Sequence, residues 1–480
     1  MDIAFASAKR LASLVRTGKI GCLELLDHYI ARVEAHDGKI NAVVVRDFER
    51  ARKRAKAQDR HRKTGATGKL FGVPITVKES FDMAGLPTTW GIPGLEATNA
   101  TTDALAVQRL MSQGANPFGK TNVPIHLGDW QSFNAIYGTT NNPWDLARGP
   151  GGSSGGAAAA LAAGLTGLEL GSDIGASIRN PAHYCGVFGH KPTWGICPPL
   201  GQTLAGNVAL TDIAVIGPMA RAAEDLSLGL DAIAGPEAID AGLRLKLPPP
   251  RTTGFKGLRV AIMPTHPLSE VDEAIQSRLA DLAKFLRKEG AKVSLTARPD
   301  YDMTLGHQLY IMLLRATTSG RSTDEQIAQF AEQAASLPAE DVSYPALMAR
   351  GVSMRHRDFL RGHEQRERMR RAWFDFFQQW DVFLCPAAAG TAMHHNQQGE
   401  RWERMIDVNG RQVSVIDQMF WAGVSCFFQL PGTVAPLGFK DGLPFGVQIV
   451  GPQYGDRTTI ELAKLLEKSW QGFVAPPGWE

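Results

Sequence analysis

Apolar residues in the first part of the chain recur at helical spacing. Over about 22–35 they form one face, whose members are Leu23, Leu26, Ile30 and Val33. A helix is also predicted over about 6–16, and a charged helix over about 48–62. The chain is therefore expected to begin with three helices.

Short apolar runs then alternate with helical segments. The run 70–78 predicts a buried strand that ends at Lys78, and further strands are predicted over about 114–120, 168–170 and 260–262. Helices are predicted between them, over about 103–113, 156–163 and 270–289. This alternation predicts an α/β fold with a mixed central sheet flanked by helices on both faces. Three prolines at 248–250 predict an exposed connection.

Composition narrows the class of protein. The chain has 480 residues, 44% of them hydrophobic and 21% charged, which is typical of a globular protein with a substantial core. A net charge of +3 is too small to favour nucleic acid or an anionic membrane as a partner. Five scattered cysteines form no zinc or disulfide pattern, and the metalloprotease pattern His-Glu-x-x-His is absent. The sequence has neither a recognisable signal peptide nor an apolar span, so a cytoplasmic protein is expected. From the cysteine and histidine patterns, no metal site is expected.

Lys78 stands at the end of a predicted apolar strand. A lysine is normally protonated at pH 7, since its unperturbed pKa is about 10.4. Burial disfavours the charged form and would make the amine a proton acceptor. The alternative is a lysine whose stem lies on apolar surface while its ammonium reaches water. The two segments described next favour the catalytic interpretation.

The loop 149–156, with the sequence GPGGSSGG, holds Ser153 and Ser154 among glycines. A flexible linker is disfavoured by the alanine-rich helix predicted directly after it. A phosphate-binding loop would need the pattern Gly-x-x-x-x-Gly-Lys-Ser/Thr, which is absent. The nucleophile elbow of α/β-hydrolases, Gly-x-Ser-x-Gly, needs a strand immediately upstream, whereas 141–148 has the composition of a loop.

The segment 171–179 places small residues before Ser177, which is the predicted nucleophile. The backbone N–H groups predicted to bind the oxyanion of a tetrahedral intermediate belong to Ile174, Gly175, Ala176 and Ser177. The alternative is an ordinary helix N-cap serine, which Pro181 disfavours because it leaves little room for a regular helix. Asp173 and Arg179 flank the turn and are expected to pair and to brace it.

These three segments, in this order, resemble the amidase signature family. Further stretches extend the resemblance over most of the chain: 119–122, 137–144, 189–193, 381–386 and 442–449. The resemblance implies a Ser-cisSer-Lys amide hydrolase without a cofactor, built as a single domain over 1–480. The signature core is expected over about 70–220, and a variable, substrate-shaping region over about 300–421.

The resemblance also implies a mechanism. Neutral Lys78 takes a proton from Ser153, which takes one from Ser177, and Ser177 attacks the carbonyl carbon. The relay then protonates the departing amine, and water hydrolyses the acyl-enzyme. Ser154 is expected to support this site. The family pattern usually has a second glycine where this chain has Ala176, so the turn is expected to differ slightly.

The family covers many small-molecule amides, and an amide or a carbamate is the expected substrate. Some members contact the substrate at the position of Leu127. Trp130 and Tyr137 lie near the three segments and are the other candidate pocket residues. Packing in the core is the alternative role for each of the three. Two competing functions stay open. One is the glutaminase-type subunit of a tRNA-dependent amidotransferase. The sequence of 194–199 departs from the one expected of that subgroup, which disfavours this function. The other is a non-catalytic binding protein on the same scaffold. A homodimer is the default assembly.

Overall fold

The computed structural model describes residues 3–62, 68–204 and 207–479. Within them lie fourteen α-helices: α1 (Ala8–Arg16), α2 (Cys22–Ile40), α3 (Phe48–His61), α4 (Leu105–Ser112), α5 (Gly155–Ala162), α6 (Arg179–Cys185), α7 (Ala223–Ile233), α8 (Glu273–Lys288), α9 (Met303–Thr318), α10 (Asp324–Ser336), α11 (Tyr344–Val352), α12 (His356–Gln379), α13 (Met419–Cys426) and α14 (Asp456–Ser469). The same residues contain fifteen strands: β1 (Val43–Arg46), β2 (Pro74–Lys78), β3 (Asn116–Thr121), β4 (Phe133–Asn134), β5 (Gly138–Thr139), β6 (Glu169–Asp173), β7 (Phe188–Lys191), β8 (Val215–Ala220), β9 (Arg259–Ile262), β10 (Lys292–Ser294), β11 (Val382–Pro386), β12 (Met405–Val408), β13 (Arg411–Ser414), β14 (Gly432–Lys440) and β15 (Leu443–Val450).

Eleven strands form one sheet in the order β1-β3-β2-β6-β8-β7-β14-β15-β11-β9-β10. The sheet is mixed, because β2 runs parallel to β3 and β6 while β6 runs antiparallel to β8. The predicted α/β class with a mixed central sheet is confirmed. A continuous hydrophobic core extends from Ala6 to Trp479 and includes residues of most helices and strands.

The parallel pairing of β2 and β6 positions the candidate site. Thr76 lies opposite Glu169, and Val77 lies opposite Leu170. Parallel neighbours end at the same edge of a sheet, so the carboxyl end of β2, at Lys78, lies beside the last residues of β6. Two segments that are almost one hundred residues apart in sequence are thereby brought together.

Helix α5 packs against this part of the sheet because its side chains are small. All eight of its residues are buried, and it contacts β2, β3, β6 and β8. A Cβ atom on Gly156 would lie 2.4 Å from the backbone nitrogen of Asn122, so only glycine allows this approach. The helix predicted over about 156–163 is confirmed.

The N-terminal elements differ from the predicted ones in two places. Helix α2 continues to Ile40 instead of ending near 35, because Ile40 is buried in the core and Asn41 then ends the helix in a left-handed conformation (φ 58°). Strand β1 was not predicted, since it has only four residues and pairs with the distant β3. The connection at 248–250 is largely exposed, as predicted.

The state of the cysteines and the character of the helices bear on the class of protein. All five cysteines are free and buried. Among the described residues, no helix combines the length and the apolar character that crossing a membrane would require.

Candidate active site

The three predicted segments meet at the carboxyl edge of β2 and β6. Lys78 is the last residue of β2, Ser153 lies in the loop before α5, and Ser177 lies in the turn between β6 and α6. Ser153 and Ser177 both line a cavity of about 440 Å³. Their loops are joined by the backbone N–H of Ser154, which donates to the Ser177 carbonyl at 3.0 Å.

Lys78 is fully buried, which excludes the alternative of an ammonium that reaches bulk water. Its Nζ donates to Ser153 Oγ at 2.6 Å and to Ser172 Oγ at 3.0 Å. Burial lowers the pKa of Lys78 to about 7, although the charges of Asp173, Glu169 and Glu79 oppose the shift. A substantial fraction of the amine is therefore neutral near pH 7 and able to accept a proton.

The loop that carries Ser153 is fixed by close backbone contacts. The Gly152–Ser153 peptide bond is cis, as the family resemblance implies. A Cβ on Gly152 would lie 2.3 Å from the carbonyl oxygen of Asp129, so a side chain at this position would displace the loop. The Gly152 N–H also donates to Asn180 Oδ1 at 3.2 Å. These contacts argue against a flexible linker.

Asp173 organises the turn that carries Ser177. Its Oδ1 accepts the Ala176 N–H at 2.9 Å, and its Oδ2 accepts the Ile178 N–H at 3.0 Å. Helix α6 begins at Arg179, and the residue before it, Ile178, occupies the N-cap position. Ser177 is therefore not the N-cap of this helix, and that alternative is wrong.

The same contacts remove Ala176 from the set of predicted oxyanion donors. Because the Ala176 N–H donates to Asp173, it does not point at the cavity, and Ala176 is absent from the described cavity lining. Ile174, Gly175 and Ser177 do line the cavity. Ala176 adopts a left-handed conformation (φ 70°), which favours glycine and explains the glycine of the family pattern. We retain the amides of Ile174, Gly175 and Ser177 as the candidate oxyanion donors.

The three predicted pocket residues have different positions. Leu127 and Trp130 line the cavity, and the Trp130 Nε1–H donates to the Gly175 carbonyl at 2.9 Å. Trp130 thus holds the turn before Ser177. Tyr137 is absent from the described lining, because its hydroxyl donates to Glu79 Oε1 at 3.3 Å instead. Its role in the substrate pocket stays a prediction.

The sequence model of the Amidase family matches residues 24–460. The chain belongs to this family. It is 31% identical to a glutamyl-tRNA(Gln) amidotransferase subunit of Anaeromyxobacter dehalogenans, with 95% of each chain covered. It is 30% identical to the indoleacetamide hydrolase of Bradyrhizobium diazoefficiens, with 99% of this chain and 88% of that protein covered. The crystal structure of a bacterial aryl acylamidase of the amidase signature family has the same fold, with a TM-score of 0.83, 23% identity and 99% of both chains covered. The chain is accordingly an amide hydrolase of the amidase signature type.

The structure adds polar groups to this amidase site that the sequence analysis did not single out. Ser172 Oγ accepts from Lys78 and also from Gln202 Nε2, at 3.2 Å. Gln202 Nε2 lies at the same distance from Ser80 Oγ. Ser172 is the residue before Asp173, so its polar character was visible, but its contact with Lys78 depends on the pairing of β2 with β6.

Glu169 is a second buried titratable group near Lys78. It accepts from Thr76 Oγ1 at 2.6 Å and from its neighbour's backbone N–H at 2.9 Å. Burial raises the pKa of Glu169 to about 8, although these hydrogen bonds oppose the shift. Lys78 and Glu169 therefore titrate in neighbouring ranges of pH, and each affects the other.

We expect kcat/KM for a neutral amide to rise with pH through a midpoint near 7, because the predicted relay needs unprotonated Lys78. An ionised Glu169 favours the protonated amine, but with a pKa of about 8 Glu169 is mostly uncharged at this midpoint, so Glu169→Gln is expected to lower the midpoint only slightly. Steady-state kinetics between about pH 5 and 9 measure both effects. The exposed residue Glu340 offers a control, since Glu340→Gln should leave the midpoint unchanged. Activity that falls as the pH rises through 7 would contradict this assignment of Lys78.

Asp173 and Arg179 form a buried ion pair, as predicted. The Arg179 Nη2 lies 2.9 Å from Asp173 Oδ1, and both side chains are almost completely buried. Burial alone would raise the pKa of Asp173, but the guanidinium of Arg179 holds it well below its usual value. Arg179 also donates to Ser425 Oγ at 2.9 Å, which ties the turn to helix α13.

We expect Asp173→Asn to lower the free energy of unfolding by about 3–5 kcal/mol, because it leaves the buried Arg179 charge without its partner. Urea unfolding compared with the wild type measures this loss. The matched control is Asp145→Asn, which breaks a 3.0 Å pair with Arg148 at a partly exposed position. That change should cost only about 0–1 kcal/mol. Equal losses in the two variants would show that the buried pair does not brace the turn.

Proposed function

We propose that this amidase hydrolyses a small-molecule amide through an acyl-enzyme on Ser177, with Ser153 and Lys78 as the proton relay. The observation that carries the proposal is the 2.6 Å contact between the fully buried Lys78 amine and Ser153, beside a cavity that Ser177 also lines. A buried amine with a pKa near 7 accepts a proton readily, whereas an ordinary lysine does not.

Each proton has a defined place in this mechanism. Ser177 Oγ bonds to the carbonyl carbon while its proton passes to Ser153 Oγ, and the Ser153 proton passes to Lys78 Nζ. The amides of Ile174, Gly175 and Ser177 stabilise the negative oxygen. Return of the proton through the relay lets the amine leave, and water then attacks the acyl carbon by the same route.

The cavity supports a small substrate held by the variable region. Its lining includes Leu314, Phe330, Met348 and Met419, all of which belong to the segment 300–421. These apolar side chains and Trp130 favour an amide with an apolar or aromatic part. The relative named as an indoleacetamide hydrolase supports the same substrate class.

The proposal is tested by intact-mass spectrometry after incubation with a fluorophosphonate probe, followed by a panel of amides, carbamates and esters. The wild type is expected to gain one adduct, and the Ser177→Ala variant none. A wild type that gains no adduct and hydrolyses no member of the panel would overturn the proposed nucleophile.

A glutaminase role in an amidotransferase complex is the second candidate. The glutamyl-tRNA(Gln) amidotransferase relative from Anaeromyxobacter dehalogenans, at 31% identity over nearly the whole chain, favours it. In that case the enzyme would release ammonia from glutamine and would copurify with partner subunits. Glutamine hydrolysis measured beside the amide panel separates the two roles, and size-exclusion chromatography with light scattering shows whether the chain alone forms the expected homodimer.

A further inference from the structure

One wall of the active-site cavity carries three arginines. Arg315 lies near the end of α9, Arg321 follows shortly after it, and Arg401 reaches the cavity from a later segment. Arg315 and Arg401 are half-buried, and their charges are close. Burial lowers the pKa of Arg315 to about 9, and the nearby charge of Arg401 adds to the shift.

The acidic residues of the cavity lining are already paired with other arginines. Asp129 forms an ion pair with Arg404, although its charge also reaches Arg401, and Asp173 pairs with Arg179. Within the part of the chain that the structure describes, no carboxylate forms an ion pair with any of the three arginines of this wall. The charges of Asp129 and Glu400 act on Arg401 without forming an ion pair with it, whereas no carboxylate charge acts on Arg315 or Arg321 among the described residues. The positive charge of Arg315 and Arg321 is therefore not neutralised by these residues.

The contacts that these arginines do make are with neutral groups. Arg315 donates to the Tyr344 hydroxyl and lies over that ring, while its Nε is buried without a hydrogen-bond partner. Arg321 lies 4.9 Å from the centre of the Trp90 ring. These neutral partners leave the charges of Arg315 and Arg321 uncompensated, and a partly desolvated guanidinium without a counter-charge is costly to keep.

A ligand oxyanion would supply the missing counter-charge. A guanidinium presents parallel N–H donors that match a carboxylate or a phosphate, and such charge-assisted hydrogen bonds are short and strong. We propose that the substrate of this amidase carries an oxyanion, such as a carboxylate, that binds Arg315, Arg321 and Arg401 while the amide lies at Ser177. This inference rests on the proposed amide hydrolysis and names its substrate class.

The helix α9 indicates how far the oxyanion lies from the reacting carbonyl. The Tyr310 hydroxyl donates to the Ile174 carbonyl at 3.4 Å, so this point of α9 touches the proposed oxyanion turn. Arg315 follows five residues later, about 7.5 Å further along the helix axis. The charged group is therefore separated from the scissile amide by several bonds, as in 4-acetamidobenzoate or a glutaryl anilide.

Binding to the Ser177→Ala protein, measured by isothermal titration calorimetry, tests the inference without turnover. 4-Acetamidobenzoate is compared with the neutral 4-acetamidotoluene, and 4-acetamidophenyl phosphate distinguishes phosphate from carboxylate. We expect at least one of the two anions to bind about tenfold to a hundredfold more tightly than the neutral amide. Glutaryl-4-nitroanilide and hexanoyl-4-nitroanilide make the same comparison for a charge on the acyl side.

Three further substitutions in the Ser177→Ala background locate the effect. Arg315→Gln and Arg401→Gln are each expected to abolish most of the preference for the anion, while Arg315→Lys keeps the charge and part of the preference. Two separate neutral variants keep the test decisive if one of them fails to fold. Arg361→Gln, at a 73% exposed side chain outside the cavity lining, should leave the preference unchanged.

Equal affinity for the charged and neutral amides on both the acyl and the amine sides would overturn the inference, as would a preference that survives both neutral variants. These results differ from failure of the proposed function. A protein that binds the anion selectively but neither reacts with the fluorophosphonate nor hydrolyses any amide would retain the oxyanion site and lose the proposed reaction.

Discussion

Ser177→Ala is expected to lower kcat for any amide substrate by about 10⁴-fold to 10⁶-fold while the protein stays folded. In the proposed mechanism the change removes the atom that bonds to the carbonyl carbon, and neither Ser153 nor Lys78 replaces it. The backbone carbonyl of Ser177 still accepts from the Ser154 N–H, so the loop contact is kept. Steady-state kinetics together with circular dichroism and thermal unfolding measure both parts of the prediction.

Ser269→Ala is the matched control for this substitution. Ser269 is also buried, and its hydroxyl has no hydrogen-bond partner among the described residues. The control variant should keep wild-type kcat and should still gain one fluorophosphonate adduct. If Ser177→Ala retained turnover within tenfold of wild type, the nucleophile would be a different residue. If the two variants lost activity equally, the loss would reflect a general structural effect.

The segments around Ser153 and Ser177 could be recognised from the sequence, because each has an unusual composition of glycines and other small residues. The glycines around Ser153 permit backbone contacts that a Cβ would prevent, as Gly152 shows against Asp129. The small residues before Ser177 and the opposite charges of Asp173 and Arg179 likewise indicated a braced turn. The resemblance to a known family then supplied the order in which the segments act.

The remaining features depend on contacts between distant segments. Lys78 meets Ser172 only because β2 pairs with β6, and the local sequence of neither strand specifies that pairing. The contact between Tyr137 and Glu79 could not be predicted for the same reason, since the two residues lie far apart in sequence. The arginine wall also escaped prediction, because Arg315 and Arg401 come together only in the folded chain.

Lys78→Met is expected to lower kcat by about 10³-fold to 10⁴-fold, because it removes the proton acceptor while nearly preserving side-chain volume. The loss should be smaller than that of Ser177→Ala, since the nucleophile and the oxyanion donors are kept. The rate of fluorophosphonate labelling should fall in parallel, because that reaction also needs Ser177 to lose its proton. Lys39→Met, at an exposed surface position, is the matched control and should leave both rates unchanged.

Lys78→Met lowers activity, but it is expected to raise the free energy of unfolding relative to wild type at low pH. This effect distinguishes a buried amine with a lowered pKa from an ordinary lysine. The folded pKa of Lys78, about 7, lies below its ordinary value of 10.5, so between these pH values the unfolded chain binds more protons than the folded one. The free energy of unfolding attributable to Lys78 therefore rises with pH across this window and is lowest below pH 7, where folding buries an ammonium. Lys78→Met lacks this titration, so its stability relative to wild type should be greatest near pH 6 and should decline toward pH 9. Urea unfolding at several pH values measures the difference, and a difference that does not change with pH would mean that Lys78 stays charged in the folded protein.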